Sequence, residues 1–522
     1  MPDRLHDVVV VGSGIGGLTA AVLAAAYGDD VLVLEGHTRP GGCASDFSRR
    51  GLLFPAGATL TSGFEQGGLH HWVYQQLGLP VRARRLDLAM LCRMPDRVVR
   101  VPTAWPEWRT ERRRAFPELG AGGERFWGRV RKLGRQAHRL AARRPVLPIQ
   151  TFADLARAAS LASPGLVGVL PALWQTVADD LRWAGVSGHR EHRAFVDQQL
   201  LISMQCSADE CVALNGGLAL DLYRYGTYYV EGGPAAIAHD LVRSLEASGG
   251  GIRYHAWVTE LRRDGPVWTV LTADGETYRA RSVIANMPAA NLVQLAGGVL
   301  PADFVRGARA DEQEWGAVVL FVGLDARGLA GALPRYDQTL ARYDAPLEEG
   351  NSCFVALLPP EQPRFPHLAR LTVSTHTRVE PWWALADRAA YAERKAYYAE
   401  RLLAAAELAV PDLRSRIAFT DVGTPRSFLR WTGRVEGRVG GVPQTRGGAN
   451  FAARSHRVGP PGLFICGDTV FPGQGTIGVT LSGINAARDA RAHAHAVRTS
   501  ERSLRVSSLP SHWLSSSGKE AR

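Results

Sequence analysis

The feature that most constrains this chain is a glycine-rich turn that joins a short apolar strand to a helix near the N-terminus. Residues 8–11 are four consecutive valines and predict a buried strand, while the alanine- and leucine-rich residues 18–27 predict a helix. Between them, residues 12–17 read Gly-Ser-Gly-Ile-Gly-Gly, a G-x-G-x-x-G pattern. Its first glycine allows a tight turn, its second lets backbone N–H groups approach a pyrophosphate, and its last lets helix and strand pack closely.

A second strand and an acidic residue follow in the order that a dinucleotide site requires. Residues 31–34 predict a strand that ends on Glu35. At about 20 residues after the glycine turn, a carboxylate can accept from both hydroxyls of an adenosine ribose and disfavours a 2′-phosphate. A signal peptide or a membrane helix fits poorly, because the segment has no basic leader and is rich in glycine. The segment therefore predicts a Rossmann-type dinucleotide-binding unit.

The choice between NAD and FAD depends on the residues after Glu35. Gly41 and Gly42 lie where flavin enzymes of this kind use a Gly-Gly turn to pass the pyrophosphate a second time. The helix N-terminus adds N–H donors and a partial positive charge for the phosphates. We therefore expect FAD rather than NAD.

A second cofactor contact is expected near the C-terminus. The apolar residues 463–466 predict a strand that ends in Gly467 and Asp468, followed by a glycine-rich loop and a helix from about residue 477 to 497. Asp468 would accept from a ribityl hydroxyl. The N–H groups at residues 476–479 would face the flavin O2 and stabilise charge on the reduced ring.

Length and composition limit the class of protein. At 522 residues the chain is too long for one core, and its apolar fraction of 46% is ordinary for a globular protein. The net charge of +11 favours anionic partners such as lipid headgroups, whereas no motif for binding nucleic acid is present. The six cysteines include no C-x-x-C pair, which predicts a reduced, cytosolic protein. Cys206 and Cys211 are interpreted as buried apolar residues, and no metal site is predicted.

Two segments raise the question of membrane contact. Residues 109–144 are dense in arginine and interleaved with apolar side chains. Two interpretations fit them equally well. One is a solvated amphipathic helix pair, and the other is a face that rests on an anionic membrane with Trp127 near the headgroups. Residues 158–178 carry no charge, but Pro164, Gly165 and Pro171 interrupt them. Two short helices that lie on or dip into the membrane are favoured over a buried core helix, and over a membrane-spanning anchor.

The rest of the chain alternates between the predicted cofactor domain and other regions. Residues 268–280 predict a hairpin, and residues 391–408 a helix. His70 and His71 point in different directions on a predicted helix, so a shared metal site is disfavoured and a surface or capping role is preferred over contact with substrate. The expected regions are an FAD-binding domain at 1–80, 231–299 and 431–498, a helical lid and substrate region at 81–230, a substrate domain at 300–430, and a disordered tail at 499–522.

With both ends placed, the chain resembles the FAD-dependent carotenoid desaturase and isomerase family over nearly its whole length. Residues 8–42 are shared with many flavin amine oxidases. The run at residues 467–479, Gly-Asp-Thr-Val-Phe-Pro-Gly-Gln-Gly-Thr-Ile-Gly-Val, with Ser482-Gly483, looks much more like the family's closing signature. Within the family, residues 57–59 and 63–71 resemble the C-3′,4′ desaturases that act on acyclic carotenoid ends.

The resemblance implies an α/β flavoprotein that takes a C40 polyene into an apolar tunnel. Its Rossmann-type FAD-binding domain, like that of glutathione reductase and the amine oxidases, would carry an inserted α+β substrate domain and a helical, membrane-facing lid. The protein would be cytoplasmic and peripheral on the inner face of the cell membrane. The family often has Asp where this chain has Pro55; if that Asp helps to position the cofactor, another group must do so here. With their neighbours in the same motifs, the residues expected to contact FAD are Gly12, Gly14, Ile15, Gly16, Gly17, Glu35, Gly41, Gly42, Cys43, Val258, Gly467, Asp468, Ile477, Gly478 and Val479.

The expected activity is C-3′,4′ desaturation of an acyclic, 1′-hydroxylated carotenoid end in carotenoid biosynthesis. Desaturation next to a polyene removes a hydride, expected to go to flavin N5, and a proton, while the adjacent cation is delocalised along the polyene. The protein then mainly supplies position and a dry site, and the sequence identifies no catalytic base. Oxygen or a quinone would accept the electrons. The alternatives are a carotene cis–trans isomerase, a phytoene or neurosporene desaturase, an amine oxidase, and a non-catalytic prenyl-lipid escort protein.

Overall fold

The computed structural model describes residues 4–310, 315–329 and 333–507. Its strands form two seven-stranded sheets and two small two-stranded sheets. The strands are β1 (Leu5–Val11), β2 (Val31–Leu34), β3 (Asp46–Arg49), β4 (Leu52–Pro55), β5 (Ala83–Arg85), β6 (Leu88–Arg93), β7 (Val98–Pro102), β8 (Tyr228–Val230), β9 (Gly251–Arg253), β10 (Val258–Asp264), β11 (Val267–Thr272), β12 (Thr277–Asn286), β13 (Trp315–Asp325), β14 (Arg335–Leu340), β15 (Ser352–Leu358), β16 (Leu368–Arg378), β17 (Ile417–Gly423) and β18 (Leu463–Cys466).

The helices lie between these strands and in one long segment before β8. They are α1 (Ile15–Ala26), α2 (Leu69–Gln76), α3 (Trp105–Ala115), α4 (Gly120–Ala142), α5 (Phe152–Ser160), α6 (Pro164–Val167), α7 (Val177–Ala184), α8 (Arg190–Met204), α9 (Ala213–Asp221), α10 (Ala235–Ala247), α11 (Ala289–Ala296), α12 (Ala302–Ala310), α13 (Glu380–Trp383), α14 (Arg388–Glu407), α15 (Leu413–Arg416), α16 (Pro425–Thr432) and α17 (Gly475–Ser507).

The first large sheet is the centre of the cofactor domain. Strands β9, β2, β1, β12 and β18 run parallel, and β11 and β10 extend the sheet antiparallel from β12. Valines at 8–11 are buried on both faces, as expected for a central parallel strand. Helices α1, α10 and α17 share one core with this sheet. The predicted mixed α/β fold with a Rossmann-type domain is confirmed, as is the hairpin formed by β11 and β12.

The second large sheet has the strand order β17-β13-β16-β15-β14-β6-β7. Its strands are antiparallel except for the parallel pair of β14 and β6. Helix α14, predicted from the sequence, covers one face through Tyr398, Leu402 and Ala406. Strands β6 and β7 come from the region predicted as a helical lid, so that region also contributes to the substrate-domain sheet.

The arginine-rich segment forms the predicted pair of helices, α3 and α4. Helix α4 buries Phe126, Trp127 and Leu133 along one face against protein. The side chain of Trp127 is only 1% exposed and packs edge-on against Trp108. The prediction that Trp127 lies near lipid headgroups is therefore wrong, because the apolar face of α4 is occupied by the core of the helical region.

The uncharged segment at residues 158–178 is broken into short helical pieces, as its prolines and glycine predicted. It contains the end of α5, the short helix α6, a 3₁₀ turn and the start of α7, where Thr176 and Asp179 form a capping box. Val167 and Trp174 are exposed, while Val169 and Ala172 are buried. Among the described residues, no helix is both long and apolar enough to cross a bilayer.

The last helix is longer than the sequence predicted. Helix α17 runs through Ser507, so the expectation of a disordered tail from residue 499 is wrong for residues 499–507. The remainder of that predicted tail, residues 508–522, lies outside the described residues.

A buried histidine in the helical region leads to a test of stability. His192 on α8 is fully buried among the rings of Phe116, Phe126 and Trp127. Neither of its ring nitrogens has a hydrogen-bond partner within the described part of the chain. Burial lowers the pKa of His192 from 6.5 to about 3, since an imidazolium here would lose its hydration.

We expect His192→Leu to flatten the acid side of the stability profile. Between about pH 6.5 and about 3, the unfolded wild type binds a proton that the folded state excludes, so stability falls as the pH falls. At pH 5 the variant should therefore gain about 2 kcal/mol on the wild type, relative to the difference at pH 7. Urea unfolding at both pH values measures this change. His495→Leu, on the exposed side of α17, is the control, and equal slopes for all three proteins would contradict the prediction.

Candidate functional site

The glycine turn between β1 and α1 has the geometry that the sequence predicts. Gly12 adopts a φ of 94°, in the left-handed region that favours glycine. A methyl group on Gly17 would lie 2.8 Å from Cβ of Asn286 and would also collide with the carbonyl oxygen of Gly12. Helix α1 begins at Ile15 with no side-chain cap and no acidic residue in its first turn, so its first amide groups remain available to an anion.

The second glycine turn lies beside the first. The N–H of Gly41 donates to the carbonyl oxygen of Ser13 at 2.8 Å, and Gly14 and Gly41 form a parallel bridge. Gly41 and Gly42 have φ angles of 112° and 56°. A methyl group on Gly42 would lie 3.4 Å from Cα of Gly14, and Cys43 follows in a short 3₁₀ turn. The structure thus brings together the two turns that were predicted to pass a diphosphate.

Asn286 holds this corner of the site and was not identified from the sequence. It ends β12, and its Nδ2 donates to the carbonyl oxygen of Gly12 at 3.2 Å. The thiol of Cys466 donates to Oδ1 of Asn286 at 3.5 Å. A methyl group on Gly14 would lie 2.6 Å from the Asn286 amide nitrogen. The signal was its position at the carboxyl end of a parallel strand, where ligands bind in sheets of this kind.

Glu35 is fixed by backbone donors at the end of β2. Its Oε2 accepts from the N–H of Ser13 at 2.8 Å and from the Ser13 hydroxyl, and its Oε1 accepts from the N–H of His37 at 2.8 Å. Oε2 already accepts two hydrogen bonds, but Oε1 has a second lone pair, so the group can still accept from a ribose hydroxyl. Two residues before Val258, the N–H of Ala256 donates to the carbonyl oxygen of Glu35 at 2.8 Å, so the chain leading into β10 meets the end of β2.

The C-terminal motif reaches the first glycine turn through α17. The N–H of Gly467 donates to the hydroxyl of Ser482 at 2.9 Å, which ties the end of β18 to the helix. A methyl group on Gly16 would lie 2.9 Å from the carbonyl oxygen of Val479. There is likewise no room for a side chain at Gly483, because a Cβ atom there would collide with the carbonyl group of Gly16. The N-terminal part of α17 therefore packs against the glycine turn at residues 12–17, and Ile477 and Gly478 lie in the first turn of α17.

Asp468 is already partnered by a residue that sequence reasoning missed. Its Oδ2 lies 2.9 Å from Nη2 of Arg434, and both side chains are largely buried. The Cys43 thiol contacts the same guanidinium, which counteracts the rise in the pKa of Cys43 that burial causes. Arg434 thus contacts both Cys43, next to the Gly-Gly turn, and Asp468, at the end of β18. Nothing in the local sequence distinguishes Arg434 from the chain's many other arginines.

An acid lies opposite Pro55, the position at which the chain departs from the family pattern. Asp46 on β3 is the cross-strand partner of Pro55 on β4. Its Oδ1 accepts from Nη1 of Arg39 at 2.7 Å, just before the Gly-Gly turn. The carboxylate nearest in register to Pro55 is thus paired with an arginine.

The sequence favoured a surface or capping role for His70, but this side chain does not lie at the surface. It is buried on α2, stacks on Phe64 at a centroid distance of 5.1 Å, and its Nε2 has no hydrogen-bond partner among residues 4–310, 315–329 and 333–507. Burial lowers its pKa to about 4, so the ring is neutral at pH 7. A methyl group on Gly63 would lie 3.3 Å from Cδ2 of His70 and 3.1 Å from Cγ1 of Ile477. A neutral imidazole therefore lies near the start of α17, while His71 is half-buried.

The residues present fit a dinucleotide. Two left-handed glycine turns, an uncapped helix N-terminus and a carboxylate converge at the carboxyl ends of β1, β2 and β12, and side chains on the glycines would fill the gap between the turns. The described residues contain no group of three or more His, Cys, Asp or Glu that could hold a metal ion. The buried, unpaired thiols of Cys206 and Cys211 agree with their predicted role as core residues.

Comparison with known sequences extends this picture along the chain. Residues 10–77 match the family described as NAD(P)-binding Rossmann-like domain. The chain is 26% identical over 502 residues to prolycopene isomerase 2, chloroplastic, from an Oncidium hybrid cultivar, covering 92% of this chain and 83% of that protein. It is also 26% identical over 509 residues to prolycopene isomerase, chloroplastic, of Arabidopsis thaliana, covering 93% and 82%. Over 275 residues, 51% of this chain and 43% of the other, it is 27% identical to human all-trans-retinol 13,14-reductase.

Solved structures share the fold. Cyclohexylamine oxidase from Brevibacterium oxydans superposes with a TM-score of 0.58 at 17% identity, covering 95% of this chain and all of that one. An oxidoreductase from Methanosarcina mazei gives a TM-score of 0.59 at 17% identity, covering 92% and 99%. The resemblance to the carotenoid desaturase and isomerase family is therefore confirmed: the chain is similar to prolycopene isomerases along most of its length, and it is built on the fold of the amine oxidases.

Proposed function

We propose that this protein is an FAD-dependent carotenoid desaturase that introduces a C=C bond at C-3′,4′ of an acyclic, 1′-hydroxylated end. The observation that carries the proposal is the position of residues 63–71, the segment that resembles the C-3′,4′ desaturases. Gly63 and His70 from this segment pack beside Ile477 of the closing signature. The segment typical of one substrate end is thus next to the residues expected to contact the flavin.

The chain's own residues would hold and orient the cofactor. The turns at Gly14 and Gly41 would bind the diphosphate through backbone N–H groups, and Glu35 would bind the ribose. Asp468, oriented by Arg434, would accept from the ribityl chain. When bound, FAD would supply the hydride acceptor of the reaction.

The surroundings of His70 favour a site without water. Phe64 packs on the imidazole and on the rings of Tyr74 and Tyr228, all of them buried. A proton next to a polyene cation is strongly acidic, so a neutral imidazole is a sufficient acceptor even with a low pKa. Within the proposed function, His70 takes the proton through its unpartnered Nε2.

We expect His70→Phe to retain FAD but to slow product formation by about a hundredfold or more, the usual contribution of a general base. Phenylalanine keeps the aromatic packing on Phe64 and removes the proton acceptor. Product formation under single-turnover conditions measures the effect, with flavin absorbance reporting cofactor content. His71→Phe is the control and should remain within about threefold of the wild type. Wild-type rates for His70→Phe would exclude His70 as the base.

A second candidate, a carotene cis–trans isomerase, is favoured by the similarity to prolycopene isomerases over more than nine-tenths of the chain. Isomerisation would use the same cofactor cradle with no net change in redox state. Both reactions act on a conjugated polyene, so the difference lies in the product and not in the residues of the cradle.

One incubation separates the two candidates. FAD-reconstituted protein is mixed with liposomes that hold a hydroxylated acyclic-end carotenoid, and the products are separated by chromatography with absorbance and mass detection. A red-shifted product that is two hydrogens lighter supports the desaturase. A product of equal mass with an altered cis absorbance band supports the isomerase. Unchanged carotenoid with bound flavin would overturn both.

The remaining parts of the proposal concern location and partners. A carotenoid substrate is soluble only in membranes, so a cytoplasmic protein that acts on it would bind peripherally to the inner face of the cell membrane. Reduced flavin would be reoxidised by oxygen or a quinone. Stopped-flow oxidation of the reduced protein with each acceptor distinguishes them.

A further inference from the structure

A pocket of about 290 Å³ next to the cofactor domain is lined by five arginines that the proposed function does not use. Two of them follow α4, one lies on α5 and two lie on α17, so the cluster is assembled from three separate parts of the chain. The aromatic rings of Tyr27 and Trp72 complete the wall. The arginines are Arg143, Arg144, Arg157, Arg488 and Arg491.

Three of these arginines lack a carboxylate partner within the described residues. Nη1 of Arg143 reaches the carbonyl oxygen of Ser160 at 3.5 Å, and Nη1 of Arg144 donates to the carbonyl oxygen of Ala142 at 3.1 Å. The side chain of Arg157 forms no hydrogen bond and no ion pair with any residue that the structure describes, although Asp489 and Asp154 lie near enough to interact with its charge. Carbonyl oxygens accept hydrogen bonds but do not neutralise a guanidinium charge.

The other two pocket arginines have acidic partners, but one of these acids is shared with cations outside the pocket. Asp29 pairs with Arg491 at 2.5 Å. Asp489 pairs with Arg488 at 2.7 Å, but it also binds Arg457 and the imidazole of His456. Nη2 of Arg488 is buried and has no hydrogen-bond partner among the described residues. The pocket therefore keeps an excess of positive charge and unused donors.

The guanidinium groups are held together although they repel one another. Arg144 adopts a left-handed φ of 52°, which costs a non-glycine residue about 1 kcal/mol. Its guanidinium lies 4.3 Å from the ring of Trp72, and that of Arg491 lies 4.1 Å from the ring of Tyr27. Burial and the nearby charges of Arg488 and Arg144 lower the pKa of Arg157, and the carboxylates of Asp489 and Asp154 offset only part of this decrease. An anion in the pocket would relieve this repulsion.

We propose that this pocket binds the anionic phosphate group of a phosphate ester. Guanidinium groups present paired N–H donors that match phosphate oxygens, and the pocket volume is near the lower end of the range for small-ligand sites. The phosphate can belong to a lipid headgroup or to a free polyphosphate ester. The headgroup source has support in Phe152 and Leu155, exposed apolar residues on the same helix as Arg157.

The test uses full-length protein saturated with FAD, so that the dinucleotide cradle does not take up the probe. Binding of inorganic phosphate and pyrophosphate is measured by calorimetry. Binding of vesicles is measured by sedimentation, using phosphatidylcholine alone or mixed with phosphatidylglycerol. We expect the wild type to bind at least one of these probes, and Arg144→Gln/Arg157→Gln to bind it about tenfold or more weakly.

Two further variants keep the result interpretable. Arg143→Gln removes an exposed pocket arginine with little risk to folding and should also weaken binding. Arg279→Gln removes the same charge from an exposed site on β12 and should bind like the wild type. If the pocket variants lose binding only to pyrophosphate, the ligand is a free phosphate ester. If they lose binding to phosphatidylglycerol vesicles, the ligand is a lipid headgroup. Equal binding by all variants, or no binding of any probe by the wild type, would overturn the proposal.

Discussion

Gly14→Val is expected to yield a folded protein that no longer retains flavin. A branched side chain at this position begins 2.6 Å from Nδ2 of Asn286, the amide that holds the carbonyl group of Gly12. It also fills the space between Gly14 and the second turn at Gly41. Since backbone N–H groups at these turns would bind the diphosphate, we expect the affinity for FAD to fall by about a hundredfold or more, or about 3 kcal/mol.

Flavin fluorescence titration of the apo-protein measures this loss. Gly298→Val is the matched control: Gly298 is exposed and has no atom within 4 Å of its Cβ position. The control should bind FAD like the wild type, and far-ultraviolet circular dichroism should show that both variants fold. Wild-type affinity in Gly14→Val would place the cofactor elsewhere and would also remove the basis of the proposed desaturase.

The parts of the site that the sequence predicted are those formed by residues close together in the chain. Strand, glycine turn, helix and Glu35 lie within about 30 residues, and their order alone restricts the geometry. Asn286 lies 274 residues from Gly12, its partner, and a single asparagine carries no local pattern. Its place could be found only from the rule that ligands bind at the carboxyl ends of parallel strands.

The fold departs from the sequence analysis where one pattern permits two environments. The 3.6-residue period of α4 identifies an apolar face that contains Trp127, but a lipid surface and a protein core both accept such a face. The fully buried position of Trp127 follows from contacts with α3 and α8 that the period does not encode. Strand β6 pairs with β14, some 240 residues away, and short apolar strands of this kind resemble buried helix turns in sequence.

The ion pair between Arg434 and Asp468 gives the second large expected effect. Asp468→Asn leaves a buried guanidinium without its carboxylate and should destabilise the apo-protein by about 3 kcal/mol. The same change weakens the expected acceptor of the ribityl chain, so FAD affinity should fall as well. Thermal unfolding of the apo-protein reports the first effect, and fluorescence titration with FAD reports the second.

A double variant separates these two roles. Arg434→Met/Asp468→Leu removes both charges and replaces them with apolar groups, which often restores the stability that one unpaired charge removes. We expect its apo-protein to unfold near the wild-type temperature while its FAD affinity stays as low as that of Asp468→Asn. Recovery of both properties would mean that Asp468 only supports the fold. Wild-type stability in Asp468→Asn would mean that Arg434 finds another partner, and the ion pair would then not be what stabilises this part of the apo-protein.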